Sequence, residues 1–198
     1  MTPRTVAFLS LLVMLSAVYG SATFYFTSSR PAQPFIAWGV YSDLGLLSEY
    51  LPGSNLTVSV NQTLNWHFQI TNRMGIVQFV RVVYRIGNTT SVAPSATQAA
   101  ETLPEVGRME KFIPNLAVSR IDFSWRVLSI PPGDPVKPVF EINGQTVQSE
   151  IGSASSREFV LFFELWTLNT LTGSFQYGWE KEGVREGSWL QFAFYIST

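Results

Sequence analysis

The chain has 198 residues, a formal net charge of −1 and no cysteine. The missing cysteine excludes disulfides, thiolate metal sites and cysteine nucleophiles, and the balanced charge, with no basic block, argues against a nucleic-acid partner. Charged residues make up 14% and aromatics another 14%, which suits one domain with a sizeable core.

The first element is the run Val6 to Phe26, VAFLSLLVMLSAVYGSATFYF, 21 residues without a charge. At a helical rise it spans about 31 Å, the hydrocarbon thickness of a bilayer. The run predicts one transmembrane helix, with Tyr19, Tyr25 and Phe26 at interfacial depth. Arg4 and the free amino terminus precede it and Arg30 follows, so the positive-inside tendency places residues 1–5 in the cytoplasm and the bulk of the chain outside. A cleaved signal peptide is the alternative, with apolar core Val6 to Val18 and small residues Gly20, Ser21 and Ala22. The full spanning length, and the apolarity that resumes at Phe24, favour a retained anchor. The expected organisation is an anchor over 1–30, a linker over 31–35 and an extracytoplasmic domain over 36–198.

Strand signals fill the remainder. After a Pro-rich linker, Ser28 to Pro34, Phe35 to Tyr41 reads as a strand. Leu64, Trp66, Phe68 and Ile70 then alternate strictly with Asn65, His67 and Gln69, which predicts a half-buried strand. Ile76 to Ile86 follows after Asn72-Arg-Met-Gly75, with Arg81 and Arg85 opposite the apolar face. The two segments read as an antiparallel hairpin. Gly87 to Ser119 is long for a connection. Its first half, rich in Ser, Thr and Ala, predicts a mobile exposed arm. Its second half predicts a short helix over Glu105 to Phe112, with Met109 and Phe112 on an apolar face that caps the domain or docks on a partner or membrane.

Alternation resumes at Ile121, Phe123, Trp125 and Val127. Asn143-Gly144 predicts a two-residue turn joining Val136 to Asn143 with Gln145 to Ile151. Arg157 to Asn169 is apolar on both faces, as for a central strand that is covered twice or whose outer face meets a partner. Phe175, Tyr177 and Trp179 alternate, as do Leu190, Phe192, Phe194 and Ile196. Eight or nine short strands at this spacing predict an all-β, two-sheet sandwich behind one N-terminal transmembrane helix.

Catalytic chemistry finds little support. His67 is the sole histidine, so a Ser-His-Asp triad would have to use it, and its place on a polar strand face reads as solvated or partner-facing. Zinc or copper wants several His or Cys ligands. No Asp-rich calcium loop occurs, and no cofactor is expected. Glu158, Glu164, Glu180, Glu182 and Glu186 are the carboxylates to weigh for glycoside hydrolysis, but Glu158 and Glu164 stand about 20 Å apart along one strand. Three sequons, at Asn55, Asn61 and Asn88, are candidate glycosylation sites outside a membrane. Trp166, Trp179 and Trp189 are the aromatics not assigned to the core. With Met109 and Phe112 they are the candidate partner- or glycan-binding residues.

The blocks YLPGSNLTVSVNQTLNWHFQITNRMGIVQFVRVVYRI and REFVLFFELWTLN, with FQYGWEKEG and SWLQFAFYIS, resemble a family of archaeal membrane-anchored proteins known only as a domain of unknown function. The resemblance covers most of residues 36–198 and rests on fold patterns. The first block is also similar to the immunoglobulin-like modules of cell-surface proteins. The resemblance implies an immunoglobulin-like ectodomain, an archaeal envelope setting, a single span and no established activity. The expected function is a membrane-anchored extracellular binding or structural domain, an accessory subunit of an envelope or membrane complex. The alternative is a carbohydrate-binding or glycan-hydrolysing sandwich.

Overall fold

The computed structural model describes residues 14–16, 18–19, 33–51, 55–133, 135–153, 157–181 and 183–197. The chain divides into two compact units, Met1–Gln33 and Pro34–Thr198. In the first, Met14 to Ser16, Val18 and Tyr19 are helical. The rest of the run Val6 to Phe26 lies outside the described residues, among which no helix is long and apolar enough to cross a membrane.

The second unit is built from strands. They are β1 (Ile36–Tyr41), β2 (Thr57–Ser59), β3 (Leu64–Asn72), β4 (Gln78–Asn88), β5 (Glu105–Ile113), β6 (Val118–Ser129), β7 (Val139–Ile142), β8 (Gln145–Gln148), β9 (Glu158–Asn169), β10 (Ser174–Tyr177), β11 (Trp179–Lys181), β12 (Val184–Glu186) and β13 (Trp189–Ser197). The first sheet runs β1-β3-β6-β7-β8 and the second β2-β13-β9-β4-β5, with β10 beside β9. A separate ribbon pairs β11 with β12. The stretch before β3 is shared between the layers: β1 pairs antiparallel with β3, and β2 pairs parallel with β13. Two sheets, with connections that cross repeatedly from one to the other, make an immunoglobulin-like sandwich.

The inner faces meet through aromatic rings. Trp66 and Phe68 of β3 and Phe123 and Trp125 of β6 face Phe163 and Phe194 of the second sheet, all with 3% or less of their surface exposed. Phe68 lies 4.9 Å from Phe163 and Trp125 4.9 Å from Phe194, centroid to centroid. Rings at these spacings and tilted angles add edge-to-face attraction to the area they bury.

Two expectations fail for related reasons. Leu64–Asn72 and Gln78–Asn88 do not pair as a hairpin, because β3 belongs to the first sheet and β4 to the second. Each has one apolar face, and placing them in opposite layers buries both faces against each other. The turn between them is held by Asn72, fully buried, whose Nδ2 donates to the carbonyls of Ile76 (2.8 Å) and Ile113 (2.9 Å). The expected helix over Glu105 to Phe112 is strand β5, registered against β4 from Gln78↔Ile113 to Tyr84↔Gly107. Met109 and Phe112 therefore point to opposite sides, Met109 into the core. Gly107 is required there, since a Cβ at that position would collide with the ring and hydroxyl of Tyr84.

The hairpin over Asn143-Gly144 forms as expected, with φ of 49° and 78° at the two turn residues. β9 is central, between β4 on one side and β13 and β10 on the other. The first half of the long connection after β4 is exposed over most of its length, as expected, but its end is packed down: Ala99, Ala100 and Leu103 are buried.

Candidate functional site

The core takes Val80, Val82, Tyr84 and Ile86 of β4 and Phe159, Leu161, Phe163 and Leu165 of β9. Alternation sends their neighbours to the outer face of the second sheet, where register sets them in rows. One row holds Phe112, Phe79 and Phe175, the next Glu110, Arg81, Trp166 and Tyr177, and a third Val83, Glu164 and Trp189.

The chain covers part of this face itself. Ala100 and Leu103 pack on Val160 and Phe162. Beside them Glu164 is fully buried. Its Oε2 accepts from Arg85 Nε and Trp166 Nε1, both at 3.2 Å, and its Oε1 accepts the Ala100 amide at 2.6 Å. Arg85 also donates to the Leu103 carbonyl. Tyr177 donates its hydroxyl to the Ser95 carbonyl at 2.9 Å, and burial, with the nearby Glu164 carboxylate, pushes that phenol well above its ordinary range. The second apolar face of β9 is thus met by the chain's own 89–104 segment, clasped by a buried ion pair.

The first row is left uncovered. Phe79 and Phe112 stack at 4.1 Å and 8°, and Phe175 lies 5.2 Å from Phe79. The Arg81 guanidinium sits 3.7 Å above the Phe175 ring and bonds Glu110 at 2.7 Å. Phe112 is 64% exposed although it is a large aromatic. This arrangement offers a flat apolar platform with one cation and one carboxylate at its margin. Its carboxylate, Glu110, is ion-paired to Arg81. Sequence reasoning singled out Phe112 but missed Phe79, Arg81 and Phe175. Their clustering depends on cross-strand register, which alternation within one strand does not contain.

The other candidates are dispersed. Trp166 and Trp189 are half-buried on this outer face, with Trp166 tilted against Tyr177 at 5.7 Å. Trp179, the first residue of the ribbon, packs partly against the core, its Nε1 buried without a hydrogen-bond partner. Asn55 and Asn61 are exposed. Asn88 is half-buried, and the amide nitrogen that a glycan would occupy donates to the Gly152 carbonyl at 2.8 Å.

His67 is not solvated: it is 5% exposed and lies under Tyr41 of β1, the rings stacked at 5.3 Å. Pairing β1 beside β3 places an aromatic ring directly across from it. Burial holds the imidazole below its usual pKa, the Arg120 charge adds to that, and Asp122 opposes it. A shallow cavity of about 310 Å³ gathers His67, Asp122 and Ser124. Among the described residues no hydrogen bond joins the three, so they lack the contacts that define a triad. The described residues also hold no group of three or more His, Asp or Glu able to hold a metal ion. Glu180 shares a side of the ribbon with Arg185, while Glu186 faces the other side with Trp179. Glu182 lies outside the described residues.

No family model and no curated protein matches the chain. Among solved structures, the chain is similar to the CARDB domain of a Pyrococcus furiosus protein in complex with di-metal ions, at 8% identity and a TM-score of 0.38, over 86% of this chain and 95% of that one. A structural-genomics target is similar at 7% identity and a TM-score of 0.31, over 84% and 90%. At that distance neither neighbour bears on ligands, and the fold stands on the strand order given above.

Proposed function

We propose that the protein is a membrane-anchored extracytoplasmic domain that works by binding, as an accessory or structural subunit of a cell-envelope or membrane protein complex. The observation that carries this reading is the uncovered row Phe112–Phe79–Phe175 under Arg81, on a face of which the chain covers another part with its own segment. Aromatic rings, Phe included, and arginine are enriched at the cores of protein–protein interfaces. The anchor is the uncharged run Val6 to Phe26, with residues 1–5 cytoplasmic and 31–198 external. The glycan-hydrolase alternative would have to use Asp43 and Asp122, which line the cavity beside His67, and there Asp122 is already ion-paired to Arg120 at 2.6 Å.

The test is a photo-crosslinking amino acid at Phe112 in native membranes, with Val92, exposed on the connection after β4, as control. One reproducible membrane-protein adduct at Phe112 and none at Val92 is the expected result. Recovery of the monomer alone, or the same products at both positions, would overturn it. Protease added to intact cells should cleave the β domain, and protection until lysis would reverse the topology.

A further inference from the structure

One end of the sandwich is built differently from the other. Three connections meet there: Arg73–Val77 between β3 and β4, Pro114–Ala117 between β5 and β6, and Thr170–Gly173 between β9 and β10. The chain also enters the domain at this end, since β1 begins with Ile36 opposite Asn72 and the Phe35 carbonyl accepts the Arg73 amide at 2.9 Å. The tips carry Ile76 (58% exposed), Leu116 (62%) and Leu171 (94%), with Phe35, Val77 and Val118 exposed beside them. Exposed apolar groups gathered in one region mark a contact surface.

These tips are held in place. Fully buried Asn72 bonds the Ile76 carbonyl, and its own carbonyl accepts the Leu116 amide at 2.9 Å. The Gly75 amide donates to Asn115 Oδ1 at 3.0 Å, which ties the first two connections together. Leu116 keeps a φ of 63°, a region that bulky residues avoid and that points to a functional constraint when it is found. Arg73 is the one charged residue in the three connections, and none of them holds a carboxylate. The connections at the opposite end, 89–104 and 149–157, hold Glu101 and Glu150. The exposed leucines of the β1–β2 connection, Leu44, Leu46 and Leu47, lie between Asp43 and Glu49.

The geometry points to a lipid surface as the occupant of this end: we propose that the Ile76, Leu116 and Leu171 tips rest in the bilayer interface, with Arg73 at headgroup level. The inference rests on the anchored reading above. The uncharged run ends at Phe26, nine residues before Phe35, and nine residues reach at most about 30 Å when fully extended. A tether of that length delivers to the membrane the end of the domain at which it enters. The apolar tips and Arg73 suit an interface with anionic headgroups, while Glu180 and Arg185 of the ribbon line the cavity beside Ile76 and Leu171.

The chain has no cysteine, so single substitutions accept one probe each. The full-length protein carrying Leu171→Cys, Leu116→Cys or Val92→Cys is labelled with an environment-sensitive fluorophore. It is reconstituted in phosphatidylcholine–phosphatidylglycerol vesicles with and without spin-labelled lipid. The expected result is a blue shift and loss of most emission to the lipid quencher at 171 and 116, with neither at 92. Flotation of the vesicles reads the anchor separately. Protein that floats while probes at 171 and 116 stay unquenched overturns this inference and leaves the anchor standing. Protein that fails to float overturns both. A blue shift that lipid quencher does not diminish means the tips meet protein instead, and refutes the proposal.

Discussion

The clasp on the outer face makes a prediction that can be worked from its atoms. In Glu164→Gln the side chain keeps its shape but loses its charge and one acceptor. Every partner of the carboxylate is a donor: Ala100 N on one oxygen, Arg85 Nε and Trp166 Nε1 on the other. Gln presents one oxygen and one NH₂, so either orientation sets donor against donor in a site fully closed to water. Arg85, 7% exposed, is left charged without its counter-ion. Breaking a buried pair from one side costs about 3–5 kcal/mol. Arg85→Met should cost a similar amount, because it strands the carboxylate. The double variant Arg85→Met/Glu164→Gln removes both charges, and the two effects should fall short of additivity by about 2 kcal/mol or more. Urea unfolding of the compact unit from Pro34 onward, followed by tryptophan fluorescence, measures this. With a slope of about 2 kcal/mol per molar, the single variants should lower the midpoint by about 2 M. Single losses below about 1 kcal/mol, or strict additivity, would show that the pair does not clasp the segment.

Three further predictions follow from residues whose surroundings differ from their sequence reading. The neutral form of His67 is favoured in the folded state, so the unfolded chain binds more protons below its ordinary pKa of about 6.5. His67 should therefore cost stability as pH falls through that value, and His67→Asn should flatten this part of the stability–pH curve; an unchanged curve would refute it. Gly107→Ala should destabilise by about 1–3 kcal/mol through overpacking against Tyr84, read by thermal unfolding, and a neutral result would mean that β5 shifts freely. Deleting Thr89–Ala99 removes the Ser95 and Ala96 carbonyls bonded by Tyr177 and Gly187 and pulls on Ala100 and Leu103, which cover Val160 and Phe162. The melting temperature should drop and a hydrophobic dye should bind, whereas wild-type stability would restore the picture of a dispensable arm.

Much of the architecture follows from the amino-acid order alone. Strict alternation in Leu64–Asn72 and Ile121–Val127 determines which side chains enter the core, because side-chain direction in a strand has a period of two whatever the strand pairs with. Asn143-Gly144 determines its turn because few other residues accept positive φ at both central positions. The double apolarity of Arg157–Asn169 determines that both faces of β9 are covered. The composition and the uncharged run Val6 to Phe26 are likewise properties of the chain as written. Tertiary structure decided the partners. Whether β4 pairs with β3 or faces it from the other layer depends on where two apolar faces bury most area, and segment 105–113 joins β4 as a strand although its apolar spacing also suits a helix. His67 became buried because β1 laid Tyr41 over it, and Phe79, Arg81, Phe112 and Phe175 became one surface through the register of β5 on β4 and of β4 and β10 on β9. Local sequence encodes the direction of a side chain, but its neighbours come from contacts between residues far apart in the chain, and there the competition is settled by the total surface removed from water.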